Sequence, residues 1–226
     1  MAAFYRKDPE QRLRLGDVLS GYVLAATQQE DVLPKEGSVS YSVGLKIPDF
    51  CVVLTPCCSI GKRRQALTVA PLVPLDRTIL AVPYLAEDPT RLNRKDRADK
   101  LIRPEQWNSL SPQEQQERLS QPSYANLEDF VYAGSDLFPD YDVKVAPSQT
   151  LTTNCRVVDF RDTYTLTCKQ IQNATNYPLE SKKLQLAAMA RHELRIKLGH
   201  FFMRPAQADL DEDAAVAVLM REFGFL

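Results

Sequence analysis

Glycine is scarce in this chain: 8 residues against 15 prolines in a length of 226. Average usage is about 7% glycine and about 5% proline, so the ordinary ratio is inverted. So few glycines leave no glycine-rich loop to cradle a phosphate and point instead to rigid, irregular connections. No run of 18 apolar residues occurs, so no membrane-spanning helix is expected. The opening Met1-Ala2-Ala3-Phe4-Tyr5-Arg6-Lys7-Asp8 has no apolar signal core. Neither sign of charge dominates: Lys+Arg 28 against Asp+Glu 29 gives a formal charge of −1, which excludes a polycationic nucleic-acid coat.

Cysteine is sparse and oddly numbered, with Cys51, Cys57, Cys58, Cys155 and Cys168. An odd count without a signal core fits reduced thiols in the cytoplasm. No C-x2-C pair is present, and a tetrahedral metal site would need ligands gathered from distant segments. No metal and no cofactor is expected. Cys57 and Cys58 follow an apolar run directly and precede Lys62, Arg63 and Arg64. Nearby cations lower a thiol pKa, so either cysteine is a candidate reactive thiol if a distant histidine serves as base. The two histidines, His192 and His200, are eight residues apart, two helical turns and so roughly one face. Structural histidines are the simpler reading of that pair.

What is abundant is block charge. Residues 58–104 carry ten Lys/Arg and five Asp/Glu, residues 121–162 three and seven, residues 181–204 six and one, and residues 205–226 one and five. These blocks have complementary signs, so pairing within the chain is favoured over contact with phosphate. The alternative is an RNA-binding surface made of Lys62, Arg63, Arg64, Arg94, Lys95 and Arg97, with Tyr84 and Trp107 to stack bases.

Short apolar runs bounded by turn residues predict strands near 15–25, 50–55, 66–72, 129–133, 154–160 and 163–168. The stretch 28–46 reads as a long loop or a hairpin, and Arg161-Asp162 is short enough to close a hairpin between the last two strands. The polar block 86–122 predicts a helical insertion. Within it Ser111-Pro112-Gln113-Glu114 carries an N-cap serine, proline at the first helical position and glutamate three after the cap. From Ser181 the period becomes helical, with Ala187, Ala190, Leu194, Leu198 and Phe201 forming an apolar stripe to about residue 204. A last helix is expected from near Asp209, with Gly224 closing it. The fold class expected is mainly β with α: a partly closed barrel over 1–175, with the insertion at about 86–122, and a C-terminal helical segment over 176–226.

Gly16-Asp17-Val18, Val52-Val53-Leu54-Thr55-Pro56 and Val69-Ala70-Pro71-Leu72 together resemble the signature of the PemK/MazF-like toxins, covering roughly residues 14–75. That resemblance implies a small SH3-like barrel. Thr55-Pro56-Cys57-Cys58-Ser59, Val158-Asp159-Phe160-Arg161 and Phe201-Phe202-Met203-Arg204 are similar to elements of a defence-associated bacterial branch with the same barrel. Ser59 stands where that branch has aspartate. PemK/MazF ribonucleases cleave RNA with the 2′-hydroxyl as nucleophile. The resemblance calls for an arginine opening the second motif strand, to stabilise the phosphorane, and a hydroxyl ending the third. Those places fall on Asp49 and Val73, and neither supplies the chemistry. No catalytic residue is therefore assigned. The resemblance then implies an enzymatically silent module that acts through a protein partner in an antiviral-defence or CRISPR-associated system. The competing expectation is an RNA-binding endoribonuclease of the MazF type.

Overall fold

A computed structural model describes residues 3–29, 41–60, 66–76, 80, 83–146, 149–167 and 181–203. Its centre is a five-stranded antiparallel sheet in the order β11 (Tyr164–Thr167), β5 (Ala66–Pro71), β4 (Cys51–Val53), β1 (Val18–Leu19) and β12 (Lys182–Leu184). A three-stranded sheet orders β6 (Val73–Pro74), β10 (Arg156–Asp159) and β7 (Asp129–Tyr132). Two further pairs complete the strands: β2 (Leu24–Gln29) with β3 (Tyr41–Lys46), and β8 (Tyr141–Ala146) with β9 (Gln149–Thr153).

The apolar runs are continuous rather than alternating because both faces of the central strands are covered. Val18, Val52 and Ala70 turn to a core shared with Phe130, Tyr132 and Val158 of the second sheet. Leu19, Cys51, Val53, Leu67 and Val69 turn to a second core on the opposite face. Val131 and Val157 alternate away from the first core into a third, which also takes Leu75, Leu85 and Leu92. Helix α5 (Ala188–Phe202) closes the first core with Ala190, Leu194 and Leu198. Phe201 packs on the edge of that core, so the expected apolar stripe is the buried one.

Several sequence expectations are corrected. The described strands form separate antiparallel sheets and no closed barrel. Strands β10 and β11 do not make a hairpin: β10 pairs with β6 and β7, whereas β11 pairs with β5. The turn between them is tied to the other sheet, since Phe160 N–H donates to the Glu128 carbonyl at 2.8 Å and Arg161 bridges Asp159 and Glu128. The helix expected from Ser181 starts only at Ala188. Residues 182–184 instead pair with β1, and Leu186 bridges Tyr5. An open sheet edge thus takes the segment before helical periodicity can. The strand expected over 15–25 breaks after Leu19, where Gly21 has φ +82°. Strands β8 and β9 were not expected.

The polar block does contain short helices: α1 (Pro83–Glu87), a 3-10 turn (Pro89–Asn93), α2 (Ala98–Leu101), α3 (Pro104–Asn108) and α4 (Pro112–Ser120). The capping box of α4 forms as read: Ser111 accepts from Glu114 N–H and the Glu114 carboxylate accepts from Ser111 N–H. The block is not purely peripheral, however. Asn93 is buried and exchanges two hydrogen bonds with Val131, Nδ2 to its carbonyl and its N–H to Oδ1, both at 2.7 Å. The side-chain amide acts as one residue of a neighbouring strand and satisfies the edge of β7. The helix expected from Asp209 lies outside the described residues, as does Cys168.

Candidate functional site

The resemblance rests first on Gly16-Asp17, and the structure shows what these two residues do. Gly16 has φ +83°, and a Cβ there would stand 2.5 Å from Leu186 Cδ1 and 2.9 Å from Leu194 Cδ2. Only glycine fits both the backbone and the space. Asp17 is fully buried. Its Oδ2 accepts from Arg14 N–H at 2.8 Å and pairs with Lys182 Nζ at 2.8 Å. Lys182 also donates to the carbonyls of Glu10 and Arg12, each at 3.0 Å. Burial raises the Asp17 pKa, while Lys182, the Arg14 N–H and Arg191 draw it back down. This cluster ties the N-terminal arm, β1, β12 and α5 into one block.

Above that block lies a cleft of about 1080 Å³. One wall is the turn after β4, Thr55 to Ser59, and the other is α5. The turn is held by Ser59 N–H donating to the Pro56 carbonyl at 2.8 Å and by Thr55 Oγ1 accepting from Thr68 N–H at 2.7 Å. Leu15, Leu54 and Leu198 make the lining apolar. Ala188, Arg191, His192, Arg195, Gly199 and Phe202 supply the helical wall, at spacings that keep them on one side of α5. Arg195 donates to His192 Nδ1 at 2.9 Å, which makes Nδ1 the acceptor in this arrangement. Arg191 NH1 is buried without a hydrogen-bond partner. Among the described residues that line the cleft, none is a carboxylate. Three basic side chains over an apolar floor therefore suit a ligand that is both acidic and apolar.

The candidate thiols sit in this cleft. Cys57 is half-buried, Cys58 exposed. Leu15 N–H donates to Cys57 Sγ at 3.2 Å. The Arg14 guanidinium, held chiefly by Glu10, also interacts with Cys57, and both partners raise the arginine's pKa. Glu10 in turn is lowered to about 2 by hydrogen bonds from Arg14 and Arg12. Cys51 is different: burial pushes its thiol up to about 12, so it is inert packing. The structure therefore brings Cys57, Cys58 and His192 to one cleft, a meeting that sequence spacing gave no sign of.

The two histidines do not act together. His192 lines the cleft, whereas the His200 ring meets Tyr124 edge-on at 5.7 Å. Among the described residues no group of three His, Cys, Asp or Glu is placed to hold a metal ion.

Of the six candidate RNA-binding residues, Lys62, Arg63 and Arg64 lie outside the described residues. The other three do not line the cleft, and each has a neighbour of its own. Arg94 stands 3.9 Å from both Asp88 and Glu193, Arg97 pairs with Asp99 at 3.1 Å, and Lys95 lies over the Tyr124 ring at 5.7 Å. Trp107 is half-buried in α3, and the Tyr84 side chain is outside the described residues. Sequence reasoning missed Arg191 and Arg195, whose only signal was their place on the basic helix.

The register of β4 with β5 pairs Cys51 with Pro71, Val52 with Ala70 and Val53 with Val69. Leu72 N–H donates to the Phe50 carbonyl at 3.0 Å, so the ladder runs one step further. Asp49 and Val73 lie just beyond that last bond, at the end of the ladder away from the cleft, and Val73 pairs with Val157 of β10. Asp49 and Val73 are both exposed. Among the described residues, no helix is long and apolar enough to cross a membrane. Compared with known proteins, the chain matches no family model, no curated protein and no solved structure.

Proposed function

We propose that this protein is a catalytically silent PemK/MazF-like binding module that acts by holding a protein partner, in the setting of prokaryotic antiviral defence or a CRISPR-associated system. The observation that carries the silent half is that Asp49 and Val73 stand at the places where the resemblance calls for a guanidinium and a hydroxyl. A carboxylate beside the scissile phosphate repels it, and valine offers no proton or hydrogen bond. The cleft at the other end of the ladder supports the binding half. Its apolar floor and its Arg191–His192–Arg195 wall fit an acidic, partly apolar protein segment.

The cationic wall also favours one second reading, an RNA-binding endoribonuclease, because phosphate meets the same three side chains. The test is incubation of the purified chain with labelled single-stranded RNA, beside co-purification with the protein encoded next to it. The expected outcome is intact RNA and stoichiometric capture that weakens with Phe202→Glu at the cleft mouth. Sequence-specific cleavage that disappears in Arg63→Ala/Arg64→Ala or in Arg191→Ala/Arg195→Ala would overturn the silent-module reading and establish the ribonuclease.

A further inference from the structure

The cleft beside α5 holds a nucleophile as well as a counter-charge. Cys57 is half-buried in the turn after β4 and lines the cleft. Two donors meet its sulfur: Leu15 N–H at 3.2 Å, and the Arg14 guanidinium, which Glu10 fixes at 2.7 Å. A sulfur attacking an electrophile carries negative charge, and both donors already face it.

The other described thiols leave Cys57 alone in this role. Cys51 belongs to the second core and Cys155 packs against the third, whereas Cys58 shares the cleft. Cys58 is the sequence neighbour of Cys57. Cα atoms of adjacent residues stand about 3.8 Å apart across a trans peptide, whereas a disulfide ordinarily spans about 4.4–6.8 Å. A bond between the two is strained, so Cys58 is a poor resolving thiol and an adduct on Cys57 persists.

The opposite wall selects what reaches the sulfur. Among the described residues that line the cleft, the charged side chains are Arg191 and Arg195. Arg195 gives one N–H to His192 Nδ1 at 2.9 Å, and a guanidinium has five. Arg191 NH1 is buried without a hydrogen-bond partner. Asp17 feels the Arg191 charge but is engaged by Lys182. A buried donor left unpaired costs free energy, which an entering carboxylate oxygen relieves. The floor is apolar through Leu15, Leu54 and Leu198, and about 1080 Å³ is the volume of a small-molecule site rather than of a single ion.

We infer that Cys57 is a site of reversible S-thiolation, taking one half of a small acidic disulfide, the disulfide of a carboxylate-bearing thiol peptide, with its carboxylates on Arg191 and Arg195. The thiol proton passes to water, and the Cys57 sulfur attacks one sulfur of the disulfide. A new S–S bond forms to Cys57 as the reagent's S–S bond breaks, and the departing thiolate takes a proton from water. Cys57 is oxidised, the leaving half is reduced, and no other co-reactant enters. The adduct occupies the cleft and so bars any segment held there, but the modification stands without the partner reading, because its test involves no partner.

The experiment uses the full chain carrying Cys58→Ser, reduced and then freed of reductant. It is incubated with oxidised glutathione, a dianion at neutral pH, and in parallel with cystamine, a dication. Mass spectrometry of the proteolytic peptide that holds Cys57 gives each rate, and the urea-unfolded chain gives the intrinsic ratio of the two reagents. The folded chain should favour oxidised glutathione by at least about tenfold beyond that ratio, the low end of what a charged cleft adds to an on-rate. Dithiothreitol should remove the adduct. The preference should fall to the intrinsic ratio in about 1 M salt and in Arg195→Glu, with Arg195→Ala in between. Position 195 is exposed, and an unchanged circular dichroism spectrum confirms that each variant is folded. Equal preference in the folded and unfolded chains would overturn the inference. So would a preference indifferent to both Arg195 substitutions, which assigns the selection to other charges, or a Cys57 thiol that neither reagent modifies.

Discussion

Among the described residues, the side chains of Lys182 and Lys197 are both buried, and of these two Lys182 has a carboxylate at ion-pair distance. Lys182 meets Asp17 at 2.8 Å and two backbone carbonyls besides, so its three ammonium protons are all engaged. Lys197, on the other side of α5's buried face, donates to the Leu92 carbonyl at 2.6 Å and lies 5.4 Å from the Tyr124 ring. Burial lowers its pKa to about 7, with the more distant Asp129 pulling it back up. The same residue type is thus a paired clamp beside Asp17 and a titratable group against the insertion. What decides between them is whether a counter-charge is buried alongside.

The largest expected effect comes from breaking the paired site. Asp17→Asn leaves Lys182 charged and unpaired in the interior, which typically costs about 3–5 kcal/mol. Urea unfolding of the purified variant measures it. Lys182→Met in the same chain should recover part of the loss, and a double variant no better than Asp17→Asn would mean that the pair is not the unit.

The unpaired lysine predicts a pH dependence instead. Its folded pKa lies below the unfolded value of about 10.4. Above pH 7 the unfolded chain therefore holds a proton that the native state has released, and stability rises with pH by at most about 1.4 kcal/mol per unit. The clean window is between about pH 7 and 8.5. Above it the Cys51 thiol, pushed up to about 12 when folded, begins to ionise in the unfolded chain and offsets the trend. Urea midpoints across that window should climb for the natural sequence and flatten for Lys197→Met; equal slopes would place the titration elsewhere.

The smallest effect belongs to charges that are paired in water. Arg97→Ala removes a 3.1 Å contact with Asp99 from a side chain that is 60% exposed. The expected change in unfolding free energy is under about 0.5 kcal/mol. A loss above 1 kcal/mol would show that the Arg91–Arg97 stretch is more than a solvated face.

Local rules made some features legible from the sequence. Continuous apolar runs marked β4, β5, β7 and β10 because each has two covered faces, and the spacing of Ala190, Leu194 and Leu198 marked the buried side of α5. The α4 capping box needed only four consecutive residues. Edge satisfaction was not legible. Asn93 standing in for a strand residue at Val131, and Lys182–Leu184 pairing with β1 in place of a first helical turn, depend on which backbone donors happen to be left open nearby.

The candidate site divides in the same way. Gly16, Asp17 and Cys57 stood out by themselves, and so did the missing guanidinium and hydroxyl at Asp49 and Val73. A motif needs only residue type and spacing. That Cys57 and His192 share a cleft with Arg191 and Arg195 was decided by tertiary structure. The turn after β4 and helix α5 are more than a hundred residues apart in the chain. Their facing positions follow from the Asp17–Lys182 pair and the Leu186–Leu194 contact with Gly16, which lock both walls to the same sheet.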